Sequence, residues 1–510
     1  MSGLLDISRA IEQAQVYDLA KKTPLEHAGK LSRDLGATIW LKREDLQDVF
    51  SFKIRGATNR IAKLSDTEKA KGVVAASAGN HAQGMASAAA KFGTKAVIFM
   101  PVTTPPIKTE AVRAMGADIQ LVGDGYDQAY EAALAYAQKT GAVFIHPFDE
   151  PDVIAGQGTI GQEILEQLEN KGPLDAIYIS VGGGGLLAGI GSWVRTHSPK
   201  TRIIAVEPKG AATLAASLTA GQPTSLNTVD GFADGVAVKR IGQMTFKLAQ
   251  DIHPETILVS NDEICASVRH IFEQTRTVVE PAGALALAGL IKHGREHNLS
   301  DGNVVAIVSG ANVNFDRIGH VVERAELGAG DEILLAATLP ERPGAFLEFC
   351  ECLGTHAVSE FNYRFSDQDI ARVLVGVKIK SAAEGEDLKK SLQDRGMEVT
   401  DMSHNRLAKI HLRHMVGGQS PSHLPEQIYS FEFPERPGAL RDFLVTLDGR
   451  WNISLFHYRN HGASTGEVLC GFQLPANDRE ALETSLRATG FSMSNETENP
   501  AYQYFLKRGV

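Results

Sequence analysis

The sequence predicts an α/β chain with largely parallel sheets, followed by two smaller α+β modules. Three observations carry this. Up to about Arg324, short apolar runs alternate with Ala-rich helical runs. One apolar run, Ala176-Ile177-Tyr178-Ile179-Ser180-Val181, ends in four consecutive glycines, Gly182, Gly183, Gly184 and Gly185. Beyond Asp331 the chain repeats itself.

The apolar runs 73–76, 96–100, 176–181, 203–206 and 304–308 read as buried strands. The runs 82–92, 126–140 and 282–293 read as helices. Sheets of this kind bind ligands beyond the C-terminal ends of their strands. Several short motifs fall at such ends.

Ser51-Phe52-Lys53-Ile54-Arg55-Gly56-Ala57 lets Ser51 cap a helix reaching about Leu64. Lys53 then sits in the first turn between apolar neighbours. The helix dipole and desolvation both disfavour its charge, so its pKa falls. Such a lysine is either a Schiff-base nucleophile or an ordinary solvated side chain.

Ser77-Ala78-Gly79-Asn80-His81 joins the strand ending at Ala76 to a helix beginning near Ala82. Ser77 and Asn80 are natural caps, and the free N–H groups behind them suit a carboxylate or serve capping alone. His81 reads as a turn or core histidine.

The glycine run joins a strand to a helix containing Leu186-Leu187-Ala188-Gly189-Ile190. Backbone N–H groups without side chains in the way, at a helix N-terminus, suit a phosphate. No Gly-Lys-Ser or Gly-Lys-Thr follows, so a nucleoside triphosphate loop fits poorly. A tight turn without ligand is the alternative. Ser309-Gly310-Ala311-Asn312 follows the strand 304–308 and is a ligand contact or a plain turn.

At 510 residues the chain has room for about three domains of roughly 150 residues. A net charge of −10 argues against nucleic acid and against an anionic membrane surface. No run is apolar enough to span a bilayer, and Met1-Ser2-Gly3-Leu4-Leu5-Asp6 lacks a basic region before an apolar core, so a cytoplasmic location is expected. Cys265, Cys350, Cys352 and Cys470 match no zinc spacing and suggest no disulfide framework, so no metal site is expected. The Cys350 and Cys352 pair lies in an apolar helical stretch and reads as packing.

A break is expected at 325–331, around Gly328 and Gly330. Beyond it Pro340-Glu341-Arg342-Pro343-Gly344-Ala345 returns as Pro434-Glu435-Arg436-Pro437-Gly438-Ala439. Phe361-Asn362-Tyr363-Arg364 returns as Phe456-His457-Tyr458-Arg459, and Val373-Leu374-Val375-Gly376 as Val468-Leu469-Cys470-Gly471. Each copy reads strand, Pro-Gly turn, helix, strand, strand, helix, strand, which is the ferredoxin-like pattern. Gly417, Gly418, Pro421 and Pro425 mark a linker between the copies. The expected division is 1–325, 326–404, a linker 405–426, and 427–510.

Ser-Phe-Lys, Ser-Ala-Gly-Asn-His, the glycine run and Ser-Gly-Ala-Asn, in this order, resemble the threonine dehydratases, pyridoxal 5′-phosphate enzymes of the two-lobed tryptophan-synthase-β fold type. The likeness spans roughly residues 15–325, and the doubled repeat resembles the ACT-like pair that ends the biosynthetic members.

The resemblance implies that Lys53 carries the cofactor and that Asn80 contacts its phenolic oxygen. It implies that Gly182, Gly183, Gly184, Gly185 and the N–H of Leu186 bind its phosphate, and that Ser309 faces its pyridine nitrogen. Ser77, Gly79 and Asn80 would hold the substrate carboxylate, with Glu280 behind them. The implied reaction removes water and ammonia from L-threonine to give 2-oxobutanoate; hydroxide is a poor leaving group, and the cofactor phosphate, with a second pKa of about 6, is expected to supply its proton. Isoleucine would inhibit and valine relieve the inhibition, in a homotetramer; Gly344-Ala345 and Gly438-Ala439 would receive an effector carboxylate. L-serine dehydration, racemisation or β-replacement on the same loops is the nearest alternative, and a non-catalytic amino-acid sensor is a more distant one.

Overall fold

The computed structural model describes residues 2–297, 299, 302–329, 332–340, 345–354, 356, 358–363, 369–405, 407–408, 412, 425–434, 442–443, 446–447, 450–459 and 465–506. The chain divides into two compact units, Met1–Ala325 and Glu326–Val510.

Two sheets build the first unit. The smaller runs Asp118–Leu121, Ala96–Met100, Val73–Ala76, Val143–Phe144 from edge to edge, with every pairing parallel. The larger runs Leu25–His27, Thr38–Arg43, Asn303–Val308, Leu174–Ser180, Arg202–Pro208, Glu255–Val259. It is parallel except at the Leu25–His27 edge. The central strands are buried along their whole length, as unbroken apolar runs of Val, Ile and Ala require when helices cover both faces.

Helices Lys53–Ala62, Asn80–Lys91 and Pro151–Leu168 pack through glycine. A Cβ at Gly84 would lie 3.0 Å from the Lys53 carbonyl oxygen, and one at Gly156 would lie 2.7 Å from that of Arg55. Small residues therefore seat the helix that bears Lys53.

Sequence expectation and structure differ locally. The lysine helix starts at Lys53 and ends at Ala62, and Ser51 does not cap it. Ser51 instead forms a β-bridge with Gly310. The next helix starts at Asn80, with Gly79 at the cap and no side-chain cap bond. Ser77 Oγ accepts the N–H of Gly79 at 3.2 Å rather than capping the helix. At Ser51 a remote pairing outcompeted local capping, and at Ser77 a local turn bond did. The boundary between the two units falls after Ala325, at the start of the expected break 325–331; the helix Arg317–Ala329 includes Gly328, and Gly330 lies outside the described residues.

The second unit holds two four-stranded antiparallel sheets of identical strand order. The first runs Val358–Tyr363, Ile370–Lys378, Glu332–Pro340, Glu398–Asp401; the second runs Asn452–Arg459, Thr465–Gln473, Glu426–Pro434, Ser492–Asn495. Alternation along each first strand assigns its two faces. Ile333, Leu335, Ala337 and Leu339 join one sheet's own core, and Tyr429, Phe431 and Phe433 the other's. Leu334 and Ala336 share a single cluster with Ile428, Leu469 and Tyr502, so the repeats pack on one another through this cluster.

The contacts repeat with the sequence. Leu334 N–H donates to Ser403 Oγ as Ile428 N–H donates to Thr497 Oγ1. Asn405 Nδ2 donates to Asn499 Oδ1 at 3.0 Å, joining equivalent positions of the two copies. Cys352 is buried, with Sγ on the Glu348 carbonyl. Gly344, Arg364, Gly417, Gly418, Pro421, Gly438, Ala439 and the side chains of Ala345 and Cys350 lie outside the described residues. Among the described residues, no helix is long and apolar enough to cross a membrane.

Candidate active site

Two segments remote in sequence close one side of the site. Phe52 N–H donates to Ser309 O at 3.2 Å, and Ala311 N–H donates to Phe50 O at 2.8 Å. Phe50 has φ +55°, a left-handed conformation that costs a bulky residue energy. The pairing with the 309–311 loop holds it there. Lys53 follows at once and stands beside the end of the strand Asn303–Val308.

Lys53 Nζ donates to the Pro147 carbonyl at 3.0 Å. Desolvation lowers its pKa to about 8, while the Glu280 carboxylate partly opposes the fall. The neighbouring histidines are kept neutral. Burial first, and the Lys53 charge second, push His81 down to about 3; burial also pulls His146 down to about 4. His81 is a core histidine, bonded to Ile145 O at 3.1 Å.

Pro147 leads into Phe148, whose ring blocks the Cβ position of Gly183 and whose Cβ lies 3.0 Å from that of Gly185. On the other flank a Cβ at Gly182 would meet Val236 Cα at 2.8 Å. Gly184 has φ +91° and caps the helix Gly185–His197 without any side-chain bond. The first ladder bond runs from Ala188 N–H to Gly184 O. The N–H groups of Gly185, Leu186 and Leu187 therefore precede the helix's own acceptors and face outward from its positive end. An anion is the natural partner for them.

Asn80 opens its helix and reaches across the site. Its Nδ2 donates to Glu280 Oε1 at 2.6 Å, and its Oδ1 accepts from Asn312 Nδ2 at 2.7 Å. Glu280 is buried; burial and the Asp234 carboxylate push its pKa up to about 7. Space for this carboxylate is cleared by Gly310, with Gly235 at contact distance. A Cβ at Gly310 would strike Glu280 Oε1, and one at Gly235 would lie 3.7 Å from it. Ser309 is buried with its Oγ 3.1 Å from Ala282 O. Gly79 has open space where a Cβ would stand.

The structure thus brings Lys53, Asn80, Ser309 and Glu280 together around the ends of strands in both sheets. Pro147-Phe148 and Gly235-Val236 connect them to the glycine run. These two pairs were not singled out by sequence, although Asp230-Gly231-Phe232-Ala233-Asp234-Gly235 is a turn-rich signal that marks such a loop.

A helix N-terminus opened by glycines and suited to an anion, a desolvated lysine and a buried strand-end serine on this two-sheet frame are the features of a pyridoxal-phosphate-dependent enzyme. The model of that family, "Pyridoxal-phosphate dependent enzyme", matches residues 16–310. The "C-terminal regulatory domain of Threonine dehydratase" matches twice, at 323–412 and 418–506. The chain is 48% identical over 499 residues to "L-threonine dehydratase biosynthetic IlvA" of Pasteurella multocida, covering 98% of this chain and 97% of the relative. It is 48% identical over 500 residues to the Escherichia coli protein of that name, covering 98% and 96%. The structure of the processed form of threonine deaminase isoform 2 from Solanum lycopersicum aligns with TM-score 0.62 and 46% identity, over 64% of this chain and 89% of that one. Maize serine racemase aligns with TM-score 0.57 and 32% identity, over 62% and 96%. The chain belongs to the biosynthetic threonine dehydratase family.

Proposed function

We propose that the chain converts L-threonine to 2-oxobutanoate and ammonia, the entry step of isoleucine synthesis, and that its second unit senses isoleucine. The observation that carries this reading is the Lys53 amine, desolvated to a pKa of about 8 beside the glycine-capped helix and Asn80.

The residues fit pyridoxal phosphate. The Lys53 amine suits an aldehyde, the uncapped N–H groups suit a phosphate, and the Ser309 hydroxyl suits a ring nitrogen. Bound there, the cofactor supplies a conjugated ring that takes up the electrons released at the substrate α-carbon. Lys53 would hold it through its amine, and the same amine, when free, would serve as the base for the substrate α-proton. Gly182, Gly183, Gly184, Gly185 and Leu186 N–H hold the phosphate. Asn80 faces the phenolic oxygen. Ser77, Gly79 and Asn80 hold the substrate carboxylate. Ser309 presents a hydroxyl, which has no charge with which to retain a proton on the ring nitrogen.

The regulatory repeat favours threonine dehydration over serine racemisation as the main activity, with L-serine as a second substrate. Isoleucine inhibits and valine relieves the inhibition. The working form is a homotetramer in the cytoplasm. Formation of 2-oxo acid from threonine and from serine, with and without isoleucine and valine, tests the reading, and sedimentation tests the assembly. No 2-oxo acid from threonine overturns it.

A further inference from the structure

The orientation of the Asn80 amide is set from outside the site. An asparagine amide fits its density of neighbours in two ways, differing in which end is oxygen. Here the choice is forced by a fixed reference. Asn312 places one terminal atom 2.8 Å from the carbonyl oxygen of Val49, and a backbone carbonyl only accepts. That atom is therefore Nδ2. The same Nδ2 lies 2.7 Å from Asn80, so the Asn80 atom facing it is Oδ1. Asn80 Nδ2 then points the other way, to Glu280 Oε1 at 2.6 Å. One N–H of Asn80 is used on Glu280, and the second remains for an acceptor in the site.

We propose that Asn312 is a positioning residue: by donating to Val49 O and Asn80 Oδ1 together, it locks the Asn80 amide with its N–H groups toward Glu280 and the cofactor's phenolic oxygen. This rests on the assignment of Asn80 to that oxygen. The polar relay spans three segments, the Val49 loop ahead of Lys53, the Asn80 helix and the 309–312 loop. The chain's only covalent link between them is through long stretches of fold, so the relay also registers the lysine loop against Asn80. An Asn80 amide freed of Asn312 samples the flipped state, with oxygen facing the carboxylate of Glu280 and an anionic phenolate. The bond to an anionic oxygen is then lost in that state.

The test is a double-mutant cycle on the holoenzyme, read by the position and pH dependence of the cofactor's visible absorbance and by kcat and KM for threonine. Asn312→Ala is expected to move the band and to lower kcat about three- to tenfold, the worth of one hydrogen bond. In the Asn80→Ala background the same substitution is expected to change neither by more than about twofold, because the amide it orients is gone. Asn312→Asp keeps the shape but offers no donor to Val49 O, and is expected to move the band as Asn312→Ala does. Equal effects of Asn312→Ala in both backgrounds overturn the proposal and leave the Asn80 assignment standing. An unmoved band in Asn80→Ala itself overturns that assignment and the proposal with it. An Asn312→Asp enzyme with an unchanged band and kcat overturns the proposal even if Asn312→Ala does not fold.

Discussion

Arg55 and Glu163 form a fully buried ion pair, with Nη1 to Oε1 at 2.6 Å, two residues beyond Lys53. The pair belongs to a sealed cluster. Glu44 accepts from Arg55 at 2.7 and 2.8 Å, and Lys42 Nζ donates to Glu163 at 2.5 Å. Two positive and two negative charges balance there, and Thr23, Gln47 and Thr159 hydrogen-bond with them. The cluster ties the lysine helix to the strand Thr38–Arg43 and the helix Pro151–Leu168.

Removing one member strands the others. Glu163→Gln keeps the shape but leaves Lys42 and Arg55 facing Glu44 alone, and is expected to cost about 3–5 kcal/mol of stability. Urea unfolding at neutral pH measures it. Burial alone raises the Glu44 pKa, but Arg55 and Lys42 outweigh it and hold the carboxyl below the usual range. Its contribution is therefore present at neutral pH and lost as the solution is acidified through the folded pKa. A mutant with unchanged unfolding would show that the cluster is dispensable.

Lys53 is expected to capture the cofactor only as a neutral amine. The rate at which apoprotein gains the visible band on mixing with pyridoxal phosphate should rise with pH and level off above about 8. Lys53→Ala should lose the band and more than about 10³-fold in turnover. A profile rising only beyond pH 10 would mean an ordinary solvated amine.

The Glu280 carboxylate raises the Lys53 pKa against the desolvation that lowers it. Glu280→Gln removes that support, so the capture profile should move to lower pH. A shift to higher pH, or none, contradicts the electrostatic coupling between them.

Gly184→Ala introduces a side chain at φ +91° and sets its Cβ 2.9 Å from Thr245. The backbone term alone is expected to cost about 1–2 kcal/mol, and displacement of the N–H groups should weaken cofactor binding about tenfold or more. Fluorescence titration of apoprotein with pyridoxal phosphate reads the second effect. Tight binding by this variant would argue that the phosphate sits elsewhere.

Leu334 lies in the cluster through which the repeats pack together. Leu334→Asp buries a charge in that cluster and should separate the repeats. Inhibition by isoleucine is expected to disappear while turnover of threonine in its absence stays within about twofold. Retained full inhibition would place effector sensing away from the packing of the repeats.

Much of this site was legible in sequence for local reasons. The glycine run, Lys53 and Asn80 stand where a strand or loop enters a helix, and Ser309 stands where a strand enters a loop; apolar runs ending in small residues mark such places. Ser51 shows the limit. Its type and position fit a helix cap, yet it pairs with Gly310 as a β-bridge. Capping is a local competition that a remote partner can win, and that partner lies far along the chain.

By itself the sequence determined the buried central strands, the helices that follow several of them, the doubled module and the loops that carry polar and glycine signals, because periodicity and turn residues act over a few positions. Only the tertiary structure decided which loops meet. It put Pro147-Phe148 and Gly235-Val236 against the glycine run and Phe52 against Ser309, and it set the Asn80 amide through Asn312 and Val49. Those relations depend on the approach of backbones remote in sequence. A single carbonyl oxygen then fixes which end of an amide faces the site, and the residue types alone carry no record of that choice.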